Sequence, residues 1–243
     1  MTNMTNRLLA LALVAFAAAT GACGGDGSSA AGPDEAGGSP QFENPTGAAF
    51  QLPPGITLKG KILGGEGGDD GNGGDGYQPG ARLGVSPTYV EVCFTIHNSN
   101  AEDDTLRLPA GLIFISKNIE TQNGTQVREE VVVVPGGRDT TVIWELHCLN
   151  AHRDPSTEED EFTIGPVSDH PGLREVIALV AGKLIDQPAA SLIGGAIWEV
   201  SDFGGLTDET RDALRALPPA SAGAAAARAR PALRRQRPDK PTG

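Results

Sequence analysis

In "TYVEVCFTIHNSN", residues 88–100, apolar side chains fall on every second position. Val90, Val92, Phe94 and Ile96 share one face, and Glu91, Cys93 and Thr95 lie on the other. A period of two is the mark of a half-buried β-strand. "ITLKGKIL" (56–63) and "TLRLPAGLIFIS" (105–116) carry the same texture in shorter pieces. "VREEVVVV" (127–134) and "DTTVIWELHCLN" (139–150) are separated by "PGGR", which predicts a hairpin. "TQNGT" (121–125) predicts another tight turn at Asn123-Gly124. Short alternating strands with turns between them predict an antiparallel β-sandwich.

After Asn150 the period changes from two to helical. "PGLREVIALVAGKLI" (171–185) aligns Leu173, Val176, Ile177, Val180 and Leu184 on one stripe, with Pro171 suited to a first turn. "QPAASLIGGAIWEV" (187–200) predicts a weaker helix, because Gly194 and Gly195 sit in its middle. "TDETRDALRAL" (207–217) predicts a third, capped by Thr207 and stopped by Pro218-Pro219. The expected fold is mainly β, an antiparallel sandwich followed by a small helical layer.

The ends of the chain read differently. Arg7 precedes the uncharged apolar run "LLALALVAFAAA" (8–19). That run has the length of a signal-peptide core and falls short of the roughly 18 residues a membrane span needs. Then come "TGAC" (20–23) and a Gly/Ser/Asp stretch. Small residues ending in Cys23 resemble the lipobox of bacterial lipoproteins, although Thr20 stands where that family usually has Leu. The resemblance implies export, lipid on Cys23 and anchorage to a membrane. The expected layout is a signal peptide over 1–22, a flexible linker over 23–52, one domain over 53–218 and a disordered basic tail over 219–243.

Charge narrows the partners. The chain carries −12 overall, but the tail from Pro219 is +5 and the remainder is −17. An acidic body argues against nucleic acid. The Gly/Asp stretch 64–80 contains a single GGxGxD pattern without the tandem repeats that calcium-binding rolls stack, so it predicts a solvated loop.

Candidate chemistry gathers around "WELHCLNAHRD" (144–154). If Cys23 is lipidated, Cys93 and Cys148 are the other two thiols, and an oxidising compartment favours joining them. Their strand faces oppose it: Cys93 alternates with Glu91 and Thr95, and Cys148 with Val142, Trp144 and Leu146. A bend near Cys148 reconciles the two, so both states stay open. Glu145 and His147 share a face, with His152 and Asp154 close behind, which suits zinc by residue type. No HExxH or paired CxxC spacing fixes such a site, and no G-x-S-x-G elbow accompanies the histidines. No metal, cofactor or catalytic residue is therefore expected. A metal-dependent hydrolase built on His147, His152 and nearby carboxylates is the competing reading.

Two stretches together, "ELHCLNAHR" (145–153) and "GGAIWEVSD" (194–202), resemble the internal-thioester domains of surface adhesins. In that family a cysteine is joined to the Gln of a T-Q-x-A-I-W motif, on a β-sandwich with a small helical part. Cys148 matches the cysteine, and Ala196, Ile197 and Trp198 match the A-I-W. The Thr and Gln positions fall on Ile193 and Gly194, and glycine has no carboxamide. The resemblance thus implies a thioester-type module without the thioester, with Cys148 structural. The expected function is a non-catalytic binding or structural protein, with an unidentified envelope or extracellular ligand.

Overall fold

The computed structural model describes residues 40–65, 81–85 and 90–221. The lipidation candidate Cys23, the signal run, most of the Gly/Asp stretch and the tail beyond residue 221 lie outside the described residues. Among the described residues a short helix, α1 (Pro40–Glu43), is followed by ten strands and three longer helices. The strands are β1 (Gly47–Ala49), β2 (Ile56–Gly64), β3 (Ala81–Leu83), β4 (Val90–Asn98) and β5 (Asp104–Leu108). They continue as β6 (Leu112–Ser116), β7 (Gly124–Thr125), β8 (Glu130–Val134), β9 (Asp139–Cys148) and β10 (Glu161–Ser168). The helices are α2 (Pro171–Val180), α3 (Gln187–Asp202) and α4 (Asp208–Ala216).

The chain is mainly β, as the alternation predicts, but the expected sandwich is corrected. Around the sheet the order is β10-β2-β4-β9-β7-β6, and β6 pairs back onto β10, so six antiparallel strands close into a barrel. Alternation looks the same along a sandwich strand and a barrel strand. The closing element is β10, where Phe162 stands opposite Ile62 on one side and Ser116 on the other. Its register slips between Ile164 and Val167, across Gly165-Pro166. A Cβ on Gly165 would lie 2.8 Å from the Ile115 side chain, so the glycine permits that close pairing.

The predicted hairpin of 127–150 does not form. β8 pairs with β5 as a separate ribbon, with Leu106 opposite Val132. After the Pro135–Arg138 turn the chain returns to β4 instead, and Asn98 N–H donates to the Arg138 carbonyl at 3.0 Å. The ribbon buries Leu106, Leu108, Val132 and Val134 on the barrel core. "TQNGT" is likewise no turn. Gly124 belongs to β7, and a Cβ there would meet Leu146 and Val90 side chains at 2.7 and 2.8 Å.

Two apolar layers result. Val90, Val92, Phe94 and Ile96 of β4 and Val142, Trp144, Leu146 and Cys148 of β9 point into the barrel. The helices cover the outside, and β6 serves both layers: Leu112 and Phe114 face inward, Ile113 outward. Asp186 caps α3 by accepting from Ala189 N–H at 3.0 Å, and the helix runs through Gly194-Gly195 without a break. Thr207 caps α4, accepting from Thr210 N–H at 3.2 Å.

The domain also starts earlier than residue 53. Phe42 is 1 % exposed and packs against the ring of His170, the ring centroids 4.4 Å apart and the planes tilted by 52°. β1 pairs with β10, Gly47 opposite Ser168. One aromatic anchor and three strand residues therefore draw 40–52, expected as linker, into the fold. At the other end Lys183 forms a bridge to Pro219, and Ala220 N–H donates to the Gly182 carbonyl at 2.9 Å.

Candidate functional site

The residues singled out by sequence meet at the end of β9. Cys148 is 3 % exposed, and the indole N–H of Trp198 donates to its Sγ at 3.1 Å. Ala196 and Ile197 are buried on the same helix, and Gly194 is buried one turn before Trp198. The structure thus brings the cysteine and the A-I-W stretch together, with glycine at the position that would need a carboxamide. Cys93 lies elsewhere. It stands opposite Ile143, five residues before Cys148 on β9 and therefore about 17 Å along the strand. Neither cysteine is in a disulfide. Bridging them would require sliding β4 along β9 and turning its apolar face outward.

His147 points away from Cys148, into a small space lined by Gln126, Arg128, Glu130 and Glu145 together with Val85, Val127 and Ile185. It is 5 % exposed, and burial, followed by the charge of Arg128, pushes its pKa down to about 4. The ring is neutral at physiological pH. His152 sits on the far side of the strand end, with Nδ1 3.1 Å from Asp202 and Nε2 3.3 Å from Glu43. Both ring nitrogens are occupied by carboxylates, while Arg153 also pairs with Glu43. This network ties α1 to the end of α3. It does not join His147, and among the described residues no group of three His, Cys, Asp or Glu is arranged to hold a metal.

Beside them, Gln122 and Asn150 are each fully buried, and neither carboxamide finds a hydrogen-bond partner. Asn150 adopts φ 63°, a left-handed conformation that asparagine tolerates better than most residues. Continuing the pairing of Gly124 with Cys148 places Gln122 opposite Asn150.

A second locus was not singled out from the sequence. Between β2 and β10 the barrel wall opens into a cleft of about 530 Å³. The two strands pair only at Leu63–Glu161 and Ile62–Phe162 before diverging. β2 bulges here, its register to β4 shifting between Lys59 and Leu63, and residues 57–61 are all exposed. Gly60 has φ 76°, and a Cβ placed on it would meet nothing within 4 Å. The glycine therefore adds no side chain to this exposed stretch of β2. Phe50, Leu52 and Ile164 are half-buried, pack against the barrel core and line the cleft. At one end Glu161 pairs with both Lys61, at 2.8 Å, and Lys117. These two ammonium groups, Lys117 first, hold the Glu161 carboxyl below the usual carboxylate range. The sequence signal was the glycine of "KGK" inside a strand, which marks a bulge or a close approach.

No protein-family model matches this chain, and no curated protein or solved structure matches it either.

Proposed function

We propose that this chain is an exported binding module of the cell envelope, tethered through lipid on Cys23, that takes an apolar ligand in the cleft between β2 and β10. The observation that carries the binding is the half-buried apolar surface of Phe50, Leu52 and Ile164, packed against the barrel core and open to the cleft. Ligand sites are concave, mostly apolar, edged by a few polar groups, and recur at the mouths of β-barrels. Lys61, Lys117, Glu161 and Gln51 supply the polar edge here. Cys148 acts as a buried structural thiol, in keeping with the resemblance to thioester domains that lack the motif glutamine. Export and lipidation rest on residues 8–23, outside the described structure.

The test of the cleft is saturable binding of the neutral fluorophore N-phenyl-1-naphthylamine to the folded chain. Leu58→Glu places a charge on an exposed side chain of the wall, so the protein should keep its fold and lose the probe. Equal binding by wild type and Leu58→Glu would remove the cleft from the reading.

A further inference from the structure

We infer that the ligand of the β2–β10 cleft is a single-chain fatty carboxylate, its tail lying over Ile62 and Ile164 and its head at Lys61 and Lys117. This rests on the proposed binding function and names the ligand class of that same site.

Three features of the cleft point to that chemistry. Phe50, Leu52, Leu58 and Ile164 present partly exposed apolar surface to the cleft, so an apolar chain seated there covers surface that would otherwise meet water. The cleft encloses about 530 Å³, room for one acyl chain rather than the bulk of a two-chain membrane phospholipid. At the end of the cleft two lysines share a single carboxylate, so the group of three carries a net positive charge. Each ammonium has three donors, and one carboxylate with two oxygens does not use them all. A second carboxylate is the complementary guest; a cationic head would meet two like charges.

An extended peptide is the other occupant a strand edge could attract. The exposed stretch of β2 carries Lys59 and Lys61 around a bulge, the devices that keep edge strands from pairing with another chain. Lys59 is already engaged by Asp139. The cleft is therefore open to a chain that needs no backbone hydrogen bonds.

The experiment uses the full chain with Cys23→Ser, which carries no lipid, in detergent-free solution and measures displacement of N-phenyl-1-naphthylamine by dodecanoate, dodecanol and dodecyltrimethylammonium. Dodecanoate should bind tightest, about fivefold better than dodecanol, as one to two exposed ion pairs supply. Lys61→Gln with Lys117→Gln leaves Glu161 unopposed and should invert that preference. Glu161→Gln releases both lysines and should tighten dodecanoate severalfold while leaving dodecanol unchanged. All the exchanged side chains are polar and near the surface, so circular dichroism should show the fold intact in each. If the probe binds but the three amphiphiles compete equally and the variants do not alter this, the head-group assignment is overturned and the apolar cleft stands. If dodecyltrimethylammonium is preferred, the charge argument is wrong. If neither probe nor amphiphile binds, the cleft itself is no site and both readings fall. Binding only to anionic phospholipid vesicles, with no displacement by monomeric dodecanoate, would overturn the single-chain assignment.

Discussion

The indole N–H of Trp198, on α3, donates to the thiol of Cys148, at the end of β9, across 3.1 Å. This contact joins the helical layer to the barrel at the end of β9. It gives the cysteine a partner that an apolar residue of the same size could not replace.

Cys148→Ala should therefore destabilise the protein by about 1 to 3 kcal/mol, from lost packing and the lost indole–thiol hydrogen bond. Trp198→Phe should cost less when made on the Cys148→Ala background than on wild type. Urea midpoints of the four proteins give the coupling, and additive effects would mean that the contact contributes nothing.

Intact mass measures the state of that thiol. The folded chain should show no loss of ammonia and should take up no methylamine, because Gly194 offers no carboxamide to Cys148. A methylamine adduct mapped to Gln122, a buried carboxamide two positions from Gly124, the register partner of Cys148, would reinstate reactive chemistry at this site.

Stability should fall with acid in a window set by His147. Burial first, then Arg128, lowers its folded pKa to about 4 from an ordinary 6.5. The unfolded chain therefore binds the proton more readily. The associated stability is fully present above pH 6.5 and is lost as pH falls toward 4. The span corresponds to about 3 kcal/mol. Denaturation between pH 4 and 7 should show this rise with pH, and His147→Leu should flatten it.

Phe42→Ala should destabilise by about 3 to 5 kcal/mol, the range for emptying a buried aromatic site. A chain beginning at residue 40 should fold like the full domain, whereas one beginning at residue 53 should not. A circular-dichroism melt of the two truncations tests whether α1 and β1 are structural.

Cys23→Ser should move the protein from the membrane fraction to the soluble fraction after cell lysis. Retention in the membrane would place the anchor elsewhere in the chain.

Much of the fold was legible in the chain. The alternation of Val90, Val92, Phe94 and Ile96 marked the inward face of β4, and all four are buried there. The stripe of Leu173, Val176 and Val180 marked the buried face of α2, and Thr207 marked the start of α4. These are local rules: a strand repeats every two residues and a helix every 3.6, whatever surrounds them. The site was legible in part. Cys148 and Trp198 were named together, but only as a motif, and no pattern in the sequence reports a distance between residues fifty positions apart.

What the tertiary structure alone decided were the partners. β10 went unrecognised because Gly165-Pro166 interrupts its alternation, yet it is the strand that turns an open sheet into a barrel. β8 leaves its neighbour β9 for β5, because its apolar face covers the same core as Leu106 and Leu108. Phe42 was hidden in a polar stretch and became an anchor only when His170, 128 residues later, arrived beside it. The cleft at Gly60 exists because two strands diverge, a relation between chain segments a hundred residues apart. Local periodicity determines which face of an element seeks burial; which surface buries it is a property of the closed barrel, where every pairing constrains the rest.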